Sequence, residues 1–265
     1  MSIDGQSAGP LFIVGSPRSG TSVLVDAAFA AGLKGFREGN LLGLLQPLRD
    51  QVDAHFRSFG TDNPKVLTAH VRPQALYGCI LQALKQTIEA LNPEHPWVDK
   101  TCNPPTILVL PDLISLWPDC RIIFAKRRGI ENILSRMNKF PQRDFSYHCR
   151  DWALNMSAWR AMRGQLEPWR YREIDQRDLI ENPDAVAAEI APLLSLDASA
   201  QARMTRVFVT LRPQQTAPGT ADNVTSLQDV GWTDREVNEF LMVCGQEMEC
   251  FGYTLDRTYR KSAAP

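Results

Sequence analysis

Leu11-Phe-Ile-Val-Gly-Ser-Pro-Arg-Ser-Gly-Thr-Ser22 decides how this chain is read. Leu11 to Val14 form an uninterrupted apolar run, the pattern of a parallel strand buried on both faces. Val23-Leu-Val-Asp-Ala-Ala-Phe-Ala-Ala31 follows with Gly32 behind it, which predicts a helix with a C-terminal glycine stop. A strand, a tight turn with Gly15 and Gly20, and a helix aim backbone N–H groups and a helix N-terminus at one spot. That arrangement is an anion site, and phosphate is the expected guest.

The turn can be set against the nucleotide-binding pattern G-x-x-x-x-G-K-[ST]. Gly15 and Gly20 fit, but Thr21 stands where that pattern requires Lys. The loop therefore lacks the usual cation for β- and γ-phosphates, and Arg18 is left to supply positive charge, with Ser19, Thr21 and Ser22 adding hydroxyls. This weakens a reading as a P-loop kinase of a small metabolite. The Pro-Arg-Ser-Gly-Thr-Ser form resembles the 5′-phosphosulfate loop of the sulfotransferase superfamily, as found in its bacterial members and in tyrosylprotein sulfotransferases. The resemblance implies an α/β fold with a P-loop-like parallel sheet and the donor PAPS (3′-phosphoadenylyl sulfate), with PAP as product and no metal. Arg18, Ser19, Gly20, Thr21 and Ser22 would then hold the 5′-phosphosulfate.

A second landmark is Arg127-Arg-Gly-Ile-Glu-Asn-Ile-Leu-Ser135, which follows the apolar strand Arg121 to Lys126. It resembles the family's 3′-phosphate element, an Arg after a strand and a Ser eight residues later. Gly129 stands where the family commonly has Pro, and Arg128 where it has Asp. The resemblance gives Arg127 and Ser135 the 3′-phosphate.

Trp97-Val-Asp-Lys-Thr-Cys102 resembles the family strand that ends in a Lys near the transferred group. A cation there stabilises charge on the bridging oxygen, as in phosphoryl transfer, and Lys100 receives that role. The cytosolic small-molecule branch places a His two residues later as base, but this chain has Cys102. Tyrosylprotein-type members use a Glu in the loop after the first helix; counted from Pro17, Glu38 falls at or within one residue of that place and is the expected base. His70 lies before the Lys strand rather than within it. Asp99 should point to the face opposite Lys100 and so make a poor partner for it.

Tyr171 to Pro183 resembles a further family segment, with Gln176 where a tyrosine usually stands. Arg206 and Arg212 are candidates for closing over the 3′-phosphate. The tryptophans at 152, 159 and 169 read as core.

Elsewhere the pattern is strand alternating with helix. Helices are expected near Asn40 to Phe56, from Pro73 with Leu76, Ile80, Leu84, Ile88 and Leu91 as its stripe, and over 106 to 117 with a break near Pro111. Others are expected from Ile130 to Lys139, through Tyr147, Trp152, Met156, Trp159, Met162 and Leu166, and from Asn182 to Leu194. Thr233-Asp-Arg-Glu236 is a capping box. Strands are expected at Trp97 to Lys100 and Trp169 to Ile174. Strands alternating with helices imply one parallel sheet covered on both faces.

With 265 residues, one α/β domain over the whole chain is expected, bounded by tails at 1 to 10 and 261 to 265. A net charge of −1 gives no electrostatic reason to expect nucleic acid. Six cysteines without C-x-x-C or metal-ligand spacing read as reduced thiols. The first ten residues have neither the basic nor the apolar region of a signal peptide, so a cytoplasmic protein of bacterial type is expected, with no membrane span. The function expected is sulfuryl transfer to a hydroxyl, or an amine, of a small-molecule, glycan, lipid or peptide acceptor. Beside it stand the small-molecule kinase and a non-catalytic nucleotide-binding protein.

Overall fold

The computed structural model describes residues 9–59, 63–211 and 224–261. Five strands, β1 (Leu11–Gly15), β2 (Lys34–Gly35), β3 (Trp97–Lys100), β4 (Arg121–Lys126) and β5 (Tyr171–Asp175), form one sheet in the order β2-β3-β1-β4-β5. All its pairings are parallel. β1 is central because its run is apolar on both faces. Phe12 and Val14 point into one core and Leu11 and Ile13 into the other.

Eleven α-helices are seen among the described residues: α1 (Thr21–Ala31), α2 (Leu45–Phe59), α3 (Pro73–Leu91), α4 (Pro104–Leu108), α5 (Leu110–Leu116) and α6 (Gly129–Lys139), then α7 (Phe145–Arg163), α8 (Gln176–Glu181), α9 (Pro183–Leu193), α10 (Ala198–Thr210) and α11 (Asp234–Cys250). Apolar side chains of α3, α5, α7 and α11 meet Phe12, Trp97, Ile122 and Phe124 on one face. Those of α1, α9 and α10 meet Leu11, Ile13, Val98 and Ile123 on the other. Trp159 of α7 stacks on Phe124 of β4 with ring centroids 4.5 Å apart, an aromatic pair worth about 1 kcal/mol beyond its buried area.

The expected elements form, with local corrections. The helix expected near Asn40 starts at Leu45, after a 3-10 turn over Leu42–Leu44, because Asn40 adopts a left-handed backbone with φ 56°. The stripe of α3 is rotated: Tyr77, Leu81 and Ile88 are buried, whereas Leu76 and Leu91 are exposed. The break near Pro111 falls at Val109, between α4 and α5, with Pro111 in the first turn of α5. Tyr147 is exposed, and Leu166 is buried beyond the end of α7. Trp169 is 46% exposed rather than core, in a 3-10 turn ahead of β5, where the guanidinium groups of Arg121 and Arg170 lie 4.5 and 4.4 Å from its ring centroid. Asn182 precedes α9 without a side-chain cap, whereas Thr233 and Glu236 form the full capping box of α11. β2, α8 and α10 were not expected.

From β1 the chain runs to β2 and β3 on one side of the sheet, then crosses to β4 and β5 on the other. The carboxyl ends of β1 and β4 therefore flank the point where strand order reverses, the place where open α/β sheets leave a crevice for ligands.

Candidate active site

The loop Ser16–Gly20 leaves β1 at that crevice. Gly15 makes the exit possible: at φ 135°, a β-carbon there would lie 2.2 Å from the Ala125 carbonyl oxygen on β4. Only glycine tolerates both the angle and the approach. Arg18 sits at φ 74°, and Gly20 precedes α1 with no side-chain cap, so the N-terminus of α1 keeps its donors for a guest. Ser19 and Thr21 are buried and Ser22 is exposed.

Helix α6 braces this loop. Asn132 Nδ2 donates to Pro17 O at 3.0 Å and to Ser19 Oγ at 3.1 Å. Arg136 Nη1 donates to Ser16 Oγ at 3.1 Å while its Nη2 pairs with Asp151 at 2.7 Å. Arg136 Nε reaches His148 Nδ1 at 3.4 Å, and burial, followed by the Arg136 charge, lowers the His148 pKa. Asn132 and Arg136 were not singled out in the sequence. Their one signal there is a polar pair spaced i, i+4 on an otherwise apolar helix face that starts at the crevice.

The two sequence landmarks meet. Arg18 Nε donates to Ser135 Oγ at 3.0 Å, and Arg127 Nη1 donates to the Arg18 carbonyl at 3.2 Å. The Arg127 carbonyl accepts from Trp152 Nε1 at 3.0 Å, which fixes the strand end against α7. Among the described residues Arg127 Nε is buried without a hydrogen-bond partner. Burial, and then the Arg127 charge, pulls the Arg18 pKa down; burial does the same to Arg127. Among the described residues neither guanidinium forms an ion pair. Two neighbouring half-buried cations without a carboxylate are costly unless an anion joins them.

Arg128, where the family commonly has Asp, points the other way. It is fully buried, pairs with Glu131, and donates to the carbonyls of Thr225, Thr254 and Asp256. It thus anchors the C-terminal segment beside the crevice. Asp175 at the end of β5 helps, accepting from Tyr253 and Tyr259 hydroxyls at 2.7 Å each. Burial raises the pKa of all three groups.

Lys100 is buried at the end of β3, where it forms an ion pair with Glu38 and lies 3.4 Å from Ser22 Oγ. The expected lysine and base are thus in direct contact, next to the loop. Cys102 bonds to Thr21, and burial pushes its thiol up to about 11, so it is no substitute for a basic histidine at neutral pH. His70 is exposed and bonded to Pro64 O at 2.8 Å. Gln176 is buried under the loop, its Cγ 3.4 Å from where a β-carbon on Gly20 would sit. Arg206 is exposed on α10, and Arg212 lies outside the described residues. Among the described residues no group of three or more His, Cys, Asp or Glu is placed to hold a metal ion, and no helix is long and apolar enough to cross a membrane.

The sulfotransferase family model matches residues 10–200. The chain belongs to the sulfotransferase family. The match takes in the β1 loop, the Lys100 strand and the Arg127 to Ser135 element. Solved sulfotransferases share the fold. Sulfotransferase STF9 from Mycobacterium avium is 15% identical, with a TM-score of 0.58 over 96% of this chain and 79% of that one. The sulfotransferase domain of the Synechococcus PCC 7002 olefin synthase is 17% identical, with a TM-score of 0.56 over 96% of this chain and 98% of that one. The sulfotransferase domain from the curacin biosynthetic pathway is 18% identical, with a TM-score of 0.51 over 95% and 100%. No curated protein matches the sequence.

Proposed function

We propose that this sulfotransferase uses PAPS as donor and transfers the sulfuryl group in line to a hydroxyl, or an amine, of its acceptor. The observation that carries the reading is the convergence of Arg18, Arg127 and Ser135 at the crevice, where among the described residues the two cations lack a carboxylate and one buried guanidinium nitrogen lacks a partner. That donor set fits a 3′-phosphate beside a 5′-phosphosulfate. Bound PAPS supplies an activated sulfuryl group on a phosphosulfate bridge, with PAP as the leaving group.

Arg127 and Ser135 bind the 3′-phosphate in this reading. Arg18, Ser19, Gly20, Thr21 and Ser22 hold the 5′ side with the N-terminal donors of α1. Lys100, buried and already within reach of the loop through Ser22, stabilises negative charge on the leaving oxygen. Glu38 takes the acceptor's proton. Its ion pair with Lys100 beside the loop supports this reading. No residue is assigned to a metal. The reading keeps a cytoplasmic setting, in which the six cysteines would be reduced thiols.

The test is incubation of the purified protein with sulfur-labelled PAPS and a panel of hydroxyl and amine acceptors without added Mg²⁺. Label transferred to an acceptor, with PAP released, supports the reading. Phosphoryl transfer from ATP with no transfer from PAPS overturns it in favour of a kinase.

A further inference from the structure

Asp99, next to Lys100 on β3, has no part in the chemistry proposed above. Its carboxylate lies directly beneath the backbone of the Glu38 loop, since a β-carbon on Gly39 would fall 1.6 Å from Asp99 Oδ2. Any other residue at 39 would have to displace that carboxylate.

Two hydrogen bonds tie the loop to the end of β3, and a third, within that strand end, orients one of them. Gly39 N donates to Lys100 O at 3.1 Å. Asn40 N donates to Thr101 Oγ1 at 3.0 Å, and Thr101 Oγ1 donates to Asp99 Oδ1 at 2.8 Å. A hydroxyl carries one proton. Because that of Thr101 is directed at Asp99, its oxygen remains free to accept from Asn40. An acceptor at position 99 therefore sets the direction of the whole relay. Asn40 sits in the left-handed region at φ 56°, which asparagine adopts more readily than most non-glycine residues.

Glu38 is 56% exposed while its partner Lys100 is only 5% exposed, so water screens their ion pair from one side. The backbone that carries Glu38 therefore shares in positioning the carboxylate.

We propose that Asp99 is a positioning residue: with Thr101 and Gly39 it latches the 38–40 backbone to the end of β3 and so holds Glu38 at Lys100. Its meaning for catalysis rests on Glu38 being the base. The groups facing Asp99 fit a buried latch. Burial raises its pKa to about 6, the Thr101 hydrogen bond and the Lys100 charge oppose that rise, and the Glu38 charge adds to it.

The experiment combines hydrogen–deuterium exchange of the peptide spanning 36–41, calorimetric titration with PAP, melting temperature, and PAP release from PAPS. The proteins are the wild type, Asp99→Leu, Thr101→Val, Asp99→Asn and Glu38→Gln. Freeing the relay should speed exchange of the 36–41 peptide about tenfold in Asp99→Leu and Thr101→Val. PAP release should fall by a similar factor in both, while PAP affinity and exchange elsewhere stay at wild-type level. Asp99→Asn, whose Oδ1 still accepts from Thr101, should restore both slow exchange and turnover. Wild-type exchange at 36–41 in Asp99→Leu overturns the latch, as does an Asp99→Asn protein no better than Asp99→Leu. Exchange raised throughout, together with a lower melting temperature, also overturns it by making Asp99 a general stability residue. Full turnover in Glu38→Gln removes the base reading instead, while the exchange data still decide the latch.

Discussion

Arg18 Nε and Ser135 Oγ are 3.0 Å apart although 117 residues separate them in sequence. The loop after β1 and the helix after β4 are thus in contact, and each half of the proposed donor site is shaped by the other. Ser135→Ala should lose both a phosphate ligand and the partner of Arg18. A hydrogen bond to a charged group contributes about 1.5–3 kcal/mol, so PAP affinity should fall roughly tenfold or more. Calorimetric titration measures it, and a variant that binds PAP like the wild type contradicts this assignment.

Lys100→Ala should leave PAP affinity nearly unchanged, because the proposed role of Lys100 lies in the transition state. Loss of a preorganised electrostatic donor costs about 10²–10³ in rate. Glu38→Gln should cost about 10²–10⁴ if it removes a general base. PAP release from PAPS, set beside PAP binding, separates these effects. Weaker binding in proportion to the lost rate would show that Lys100 acts on the bound ground state instead.

How far the residues alone could be read is clearest around these groups. The β1 loop and the Arg127 to Ser135 element were legible because each is a local pattern, with an apolar strand followed at fixed distance by donors. So were most helices and the break near Pro111, which follow from periodicity and capping. Asn132 and Arg136 were not, since they act across the fold on a loop more than a hundred residues away. Asp99 was judged from strand alternation alone, which says nothing of the loop that lies on it or of the Lys100 charge that reaches its carboxyl. Trp169 was misplaced because its apolar ring suggested burial, whereas it stays at the surface with the guanidinium groups of Arg121 and Arg170 against its ring.

Arg128→Ala should be the most destabilising change at the crevice. It leaves Glu131 without its partner and removes donors from the carbonyls of Thr225, Thr254 and Asp256. Removing one member of a buried pair costs about 3–5 kcal/mol. Urea denaturation should show that loss, and a variant within 1 kcal/mol of the wild type, a margin roughly that of a surface change, argues that the anchor is unimportant.

The elevated Asp99 pKa makes stability depend on pH in a stated direction. A carboxyl raised in the folded state from 3.8 to about 6 favours folding while protonated and loses that contribution as pH rises through 6. Asp99→Asn, which mimics the protonated form, should therefore be more stable than the wild type at pH 8. Its advantage should shrink by about 1 kcal/mol at pH 5, at 1.36 kcal/mol per pH unit. Glu38 and Lys100 face the same carboxyl, so the comparison is made at constant ionic strength. An advantage that grows toward pH 5 would reverse the sign and contradict the assignment.

The most direct test of the account is calorimetric titration of the wild type and Arg127→Ala with PAP and with ADP, in the absence of Mg²⁺. The account predicts PAP binding much tighter than ADP binding, with the preference abolished in Arg127→Ala because the 3′-phosphate loses its cation. ADP bound as tightly as PAP, or a PAP preference that survives Arg127→Ala, would contradict it.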